Sequence, residues 1–222
     1  MLDNSAYRNR LLNKRLVVVT GPQGSGNHLF SKILGASPYV YGWDFGKEYW
    51  VPSDLEPFAD CWVDPDKTED MLSSIDEDYI VANVSVPFMY DGERKIPAIQ
   101  EFVDNAKRLG YNVSIAIVVR DRSINAMQQQ RVRGSCTLPT ALQYYHCLDG
   151  VRIDFLDHEA LYLYKGWYIK WVGQMLGIPV VDTDDVIKEL DTDANSKYVN
   201  YVEEHWLDEH VWNGIRPKVE RK

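Results

Sequence analysis

A run of β-branched residues ending in a glycine loop constrains this chain more than any other feature. Leu16-Val17-Val18-Val19-Thr20 is apolar up to its last residue, and so predicts a strand buried on both faces of a sheet. Three glycines follow within six residues, Gly21-Pro22-Gln23-Gly24-Ser25-Gly26, and Asn27-His28 leads into Leu29, Ile33 and Leu34 at helical spacing. A strand, a glycine loop and a helix in that order aim successive backbone N–H groups at one spot, at the positive end of the helix. Such a spot receives phosphate or sulfate. A plain strand-to-helix turn needs fewer glycines.

The rest of the chain repeats the alternation. Tyr79 to Val86, stopped by Pro87, and Val113 to Val119 read as further buried strands. Between them Pro97 suits a first helical turn. Ile99, Phe102, Val103, Ala106 and Leu109 then fall on one helical face, and Gly110 closes it. Helices are also expected over 124–132, 140–149, 157–176, 184–190 and 195–210, with a short strand over 179–181. Residues 35–78, with their prolines, aromatics and acidic stretch, read as loops and short helices, a substrate-facing insertion in a single domain spanning 1–222. Strands alternating with helices predict an α/β fold, a three-layer sandwich around a mainly parallel sheet.

Composition narrows the partners. The 222 residues suffice for one sizeable core. A net charge of −9 argues against a nucleic-acid or anionic-membrane footprint and leaves room for a local basic pocket. The three cysteines are odd in number and widely spaced, which is neither a disulfide framework nor a zinc site. Met1 to Lys14 is polar and charged, unlike a secretory leader, and no apolar run approaches ~20 residues. An intracellular, cytoplasmic protein is expected.

Three ligand classes compete for the loop. In the pattern G-x-x-x-x-G-K-[ST], Gly21 and Gly26 are in register, but Asn27 stands for the lysine and His28 for the hydroxyl residue. A magnesium-dependent kinase would also need acids such as Asp121 or Asp182. A dinucleotide turn matches only in its glycines, with Asp44 near the distance of a ribose-binding acid, and no Y-x-x-x-K pair occurs.

The third class fits best. Ser25-Gly26-Asn27-His28-Leu29 after an apolar strand resembles the 5′-phosphosulfate-binding loop of sulfotransferases dependent on 3′-phosphoadenosine 5′-phosphosulfate (PAPS), which share the P-loop nucleotide kinase fold. Ile115-Ala116-Ile117-Val118-Val119-Arg120-Asp121 resembles the strand of that family's 3′-phosphate motif. The resemblance covers about 40 residues. It implies that Gln23, Gly24, Ser25, Gly26, Asn27 and His28 surround the 5′-phosphate of PAPS or its product PAP. It also implies that Arg120 holds the 3′-phosphate, together with Gln128 at the position of the family's serine. The expected reaction moves a sulfonyl group to a hydroxyl or amine of a small molecule or glycan, without a metal.

Two positions depart from the family. Gly24 stands where the lysine before Ser-Gly is expected, with Gln23 nearest if the loop is one residue longer, and Lys32 one turn into the helix as a substitute. Ser85, two residues before Pro87, stands where cytosolic members carry a basic histidine. His28, Lys32 and Ser85 are therefore the candidate catalytic residues. A nucleotide-binding module that has lost its chemistry is the non-enzymatic alternative.

Other features have plainer readings. Arg122, Arg131 and Arg133 either join Arg120 in an anion site or lie on a solvated helix face. Tyr164, Trp167, Tyr168 and Trp171 fall at helical spacing and predict a packed core stripe. Tyr39, Tyr41, Trp43, Phe45, Tyr49 and Trp50 follow the loop helix and suggest an acceptor pocket. His205 and Glu209 share a helix face, which reads as surface.

Overall fold

The computed structural model describes residues 14–42 and 56–181. Its centre is a five-stranded parallel sheet with the order β2-β3-β1-β6-β7. The strands are β1 (Arg15–Pro22), β2 (Val40–Tyr41), β3 (Tyr79–Val86), β6 (Asn112–Val119) and β7 (Arg152–Asp157). A separate antiparallel hairpin joins β4 (Phe88–Tyr90) to β5 (Glu93–Lys95).

The alternation of side chains along β1 builds the three layers. Leu16 and Val18 point to one face, where they pack with Ile80, Ala82, Val84, Ile115 and Ile117. That face is covered by α2 (Ala59–Val63), α3 (Thr68–Ser73), α4 (Ile99–Arg108) and α6 (Leu138–Tyr145), through Trp62, Leu72, Phe102, Val103 and Ala141. Val17 and Val19 point to the other face with Val81, Ala116, Val118 and Leu156. There α1 (Asn27–Gly35) and α7 (His158–Leu176) close the layer through Phe30, Ile33, Leu161, Ile169 and Val172. Leu16 to Val19 are all fully buried, each contributing about 1.5–3 kcal/mol relative to exposure. The strand that ends in the glycine loop is therefore firmly held between β3 and β6.

The connections diverge beside that loop. From β1 the chain runs through α1 to β2 on one side of the sheet. From β6 it runs through α5 (Arg122–Arg133) and α6 to β7 on the other. Neighbouring strands whose connections leave in opposite directions open a crevice outside their C-terminal ends, and such crevices hold ligands in parallel sheets.

Three expectations need correction. No strand forms over 179–181; the chain leaves α7 through Gly177 at φ +68°, and Pro179 has no N–H for a ladder. The helix expected over 140–149 ends at Tyr145. The aromatic stripe of α7 is not core: Tyr164, Trp167 and Trp171 are exposed, and only Tyr168 is buried. After a break at Lys165 (φ 45°, ψ −125°), the buried face of α7 runs through Tyr168, Ile169, Val172 and Leu176, which leaves Trp167 and Trp171 outside it. Residues 56–75 are built into the main core through Phe58, Trp62 and Leu72.

Asp44, Trp43, Phe45, Tyr49, Trp50, Asp182, the helices expected over 184–190 and 195–210, and His205 and Glu209 lie outside the described residues. Among the described residues no helix is long and apolar enough to cross a membrane.

Candidate anion-binding site

The glycine loop leaves β1 at Pro22 and enters α1 at Asn27, with Ser25 N–H donating to the Pro22 carbonyl at 3.0 Å. Gly24 (φ +80°) and Gly26 (φ +97°) occupy left-handed backbone, a region that costs other residues. Gly26 is the N-cap of α1 and offers no side chain to its first turn. The first N–H groups of α1 therefore have no side-chain cap.

Arg120 reaches the loop from the end of β6. Its Nη1 donates to the Gly24 carbonyl at 3.1 Å and to Gln128 Oε1 at 2.6 Å, and its side chain is only 2% exposed. Glu159 lies 3.8 Å from Nε. The local chain makes this meeting possible. Asp121 caps α5 by accepting the Ile124 N–H at 2.9 Å, and Gln128 then comes round on the second turn to lie over Gly24. Asp121 thus serves α5 as its N-cap through one carboxylate oxygen.

The next residue, Gln129, had no place in the sequence reading, yet it is the loop's principal fastening. Fully buried, it donates to the Gln23 carbonyl at 2.6 Å and to Asn125 Oδ1 at 2.9 Å. Its Oε1 accepts from the Thr137 N–H at 2.7 Å and the Leu138 N–H at 3.1 Å. Gln23 itself faces inward and accepts from Thr137 Oγ1 at 3.4 Å. It is thus a strut of the loop. The run of three glutamines at 128–130 is the signal that sequence reasoning could have used.

On the other side, Asn27 ties the loop to β3. Its Nδ2 donates to Asn83 Oδ1 at 2.9 Å and to Ser85 Oγ at 3.2 Å. The Asn83 N–H donates in turn to Glu56 Oε1 at 2.9 Å, while Glu56 Oε2 accepts from the Phe58 N–H and Trp62 Nε1. Burial pushes the Glu56 carboxyl up to about 8 even against these three donors. Ser85 is thus brought to the loop, as a hydroxyl engaged with an amide.

His28 and Lys32 sit one turn apart on α1. Burial, helped by the charges of Lys32 and Arg133, pushes His28 down to about 4. As a neutral imidazole it donates a hydrogen bond but holds no extra proton to hand over. Lys32 is buried at 6% exposure. Arg131 and Arg133 stand exposed on the last turn of α5, while Arg122 and Arg120 border a pocket of about 300 Å³. Pro22, Ile117, Leu138, Leu142, Tyr145 and Phe155 make that pocket apolar.

Two buried polar atoms of the loop region, Ser25 Oγ and His158 Nε2, lack a hydrogen-bond partner among the described residues. Native interiors leave few such atoms; Ser25 Oγ lies against Gly21 and His158 Nε2 against Gly26. The donors present are neutral N–H and O–H groups with the guanidinium of Arg120, a set suited to an anion rather than a metal cation.

Fold and site together define an α/β protein with a glycine loop beside a crevice at the switch point of a parallel sheet. No family model matches the chain, and no curated protein matches it.

Proposed function

We propose that this chain binds a 3′-phosphorylated adenine nucleotide across the β1/β6 crevice and is a PAPS-dependent sulfotransferase. The observation that carries the reading is the meeting of two separate sequence motifs. Arg120, from the 3′-phosphate-like strand, bonds both Gly24 of the glycine loop and Gln128. Residues 24–28 would hold the 5′-phosphate, Arg120 with Gln128 the 3′-phosphate, and the apolar pocket beside Arg120 the adenine ring.

PAPS supplies an activated sulfonyl group. In its transfer the bond from sulfur to the phosphate oxygen breaks, and a new bond forms to the acceptor oxygen or nitrogen. The proton of that acceptor atom passes to water, and PAP keeps the bridging oxygen with its charge. The protein's part is to neutralise that charge and orient the acceptor. His28 and the helix N-terminus would donate to the leaving oxygen, with buried Lys32 behind them as the nearby cation. Ser85 would hold the acceptor hydroxyl of a small molecule or glycan.

A second reading, a nucleotide-binding module without chemistry, draws on Asn27. A neutral amide replaces the lysine there and is bonded to Asn83 and Ser85. A sulfate-transfer assay with labelled PAPS and a panel of phenols, alcohols, amines and sugars separates the two. Transfer that disappears in Arg120→Ala supports the enzyme; tight binding with no transfer to any acceptor supports the module. A magnesium-dependent kinase would instead favour ATP–Mg²⁺ over any 3′-phosphorylated nucleotide.

A further inference from the structure

The register of the sheet sets a second residue beside Arg120. Val119 of β6 pairs with Asp157 of β7, so Arg120 and His158 leave two neighbouring strands side by side. Both turn toward the glycine loop. Arg120 bonds the Gly24 carbonyl, and the His158 ring packs on Gly26. A Cβ at position 26 would stand 2.4 Å from His158 Cδ2 and 2.9 Å from Nε2. The loop is therefore bracketed, with the guanidinium on one glycine and the imidazole on the next.

His158 is built for something more than filling space. It is 1% exposed, its ring rests against Tyr162 at 5.0 Å between centroids, and Asp157 caps the helix that starts with it. Yet Nε2 has no hydrogen-bond partner among the described residues. A phenylalanine would fill the same space without leaving a buried polar atom unmade. Burial and the neighbouring Arg120 charge hold the imidazole down to about 3, so it is neutral at physiological pH.

We propose that His158 is a binding residue of the anion crevice, its Nε2–H donating a hydrogen bond to an oxygen of the phosphate or sulfate seated in the glycine loop. The proposal deepens the nucleotide reading and rests on the loop being an anion site. A neutral N–H contributes direction rather than charge. It fixes which oxygen faces Gly26, while Arg120 supplies the charge.

The test uses the full chain with ¹⁵N-labelled histidine, titrated with adenosine 3′,5′-bisphosphate and separately with inorganic sulfate. His158 Nε2 is expected to carry a proton, and its resonance to move with either ligand. His158→Phe is expected to weaken the bisphosphate about tenfold or more, the loss of one hydrogen bond to a charged group. His158→Gln, which restores a neutral N–H donor, should stay within about threefold of the original affinity. The proposal is overturned by a bare Nε2, by a resonance that ignores a bound ligand, or by unchanged affinity in His158→Phe. Any of these with tight bisphosphate binding leaves the nucleotide reading intact. Sulfate that shifts the resonance while the bisphosphate fails to bind keeps the histidine's role and removes the nucleotide. Silence from both ligands removes both.

Discussion

Arg120 and Gln128 meet side chain to side chain across the first two turns of α5, Nη1 to Oε1 at 2.6 Å, and the same nitrogen reaches the Gly24 carbonyl at 3.1 Å. One guanidinium thus joins the end of β6, the face of α5 and the loop after β1. Under the proposed reading, a ligand phosphate would meet here a charge already positioned and desolvated.

Replacing Arg120 should therefore remove discrimination rather than binding alone. Arg120→Ala is expected to weaken adenosine 3′,5′-bisphosphate by ten- to a hundredfold, the loss of about 1.5–3 kcal/mol. AMP, which lacks the 3′-phosphate, should change far less. Competition titrations read the ratio directly, and an unchanged ratio would sink the assignment of Arg120.

Gly26 faces two constraints at once, a positive φ and the ring of His158. Gly26→Ala should cost roughly 2 kcal/mol or more from backbone strain and overpacking. Pairing it with His158→Ala should recover part of that loss, because the clash disappears while the strain remains. Urea denaturation of the single and double variants measures the coupling; strict additivity would contradict the contact.

The loop's shape depends on Gln129, which no ligand argument requires. Gln129→Ala leaves the Gln23 carbonyl and the Thr137 and Leu138 N–H groups without their present partner. A loss of about 2 kcal/mol or more is expected, together with faster amide exchange in residues 22–26. Gln129→Glu keeps the acceptor for Thr137 but loses the donor to Gln23. It should therefore loosen the loop more than the start of α6.

Glu56 makes stability depend on pH. Its folded value, about 8, lies above the unfolded value of 4.5, so the native state holds a proton that the unfolded chain has released. Stability from this group is fully present below pH 4.5 and is lost as pH rises toward 8. Glu56→Gln should start out weaker, since one oxygen cannot serve every donor that Glu56 now serves. Its melting temperature should nevertheless fall less steeply between pH 5 and 8. An equal slope in both proteins would show that Glu56 is ionised in the fold.

Much of the frame was legible in the residues. Runs buried on both faces, such as 16–20, 79–86 and 113–119, can only be central strands, and the one-sided pattern of α4 allowed a single reading. The edge strand β7 was missed because Arg152-Ile153-Asp154-Phe155-Leu156-Asp157 is short and mixes charge with apolar residues. The aromatics of α7 fall at helical spacing, but the sheet receives the face of Tyr168, Ile169, Val172 and Leu176 instead. In the site, glycines and the strand-ending arginine announced themselves by type and position. Gln129, Glu56 and His158 did not. Each acts through a partner distant in the chain, and only the sheet order brings those partners together.

In the proposed complex, Arg120 and Gln128 hold a 3′-phosphate where they meet the glycine loop. Calorimetric titration of the full chain with adenosine 3′,5′-bisphosphate, beside AMP and ATP–Mg²⁺, tests it most directly. The bisphosphate should bind at least tenfold more tightly than AMP, in proportion to one charge-assisted contact. Equal affinity for the bisphosphate and AMP, or preference for ATP–Mg²⁺, would contradict it.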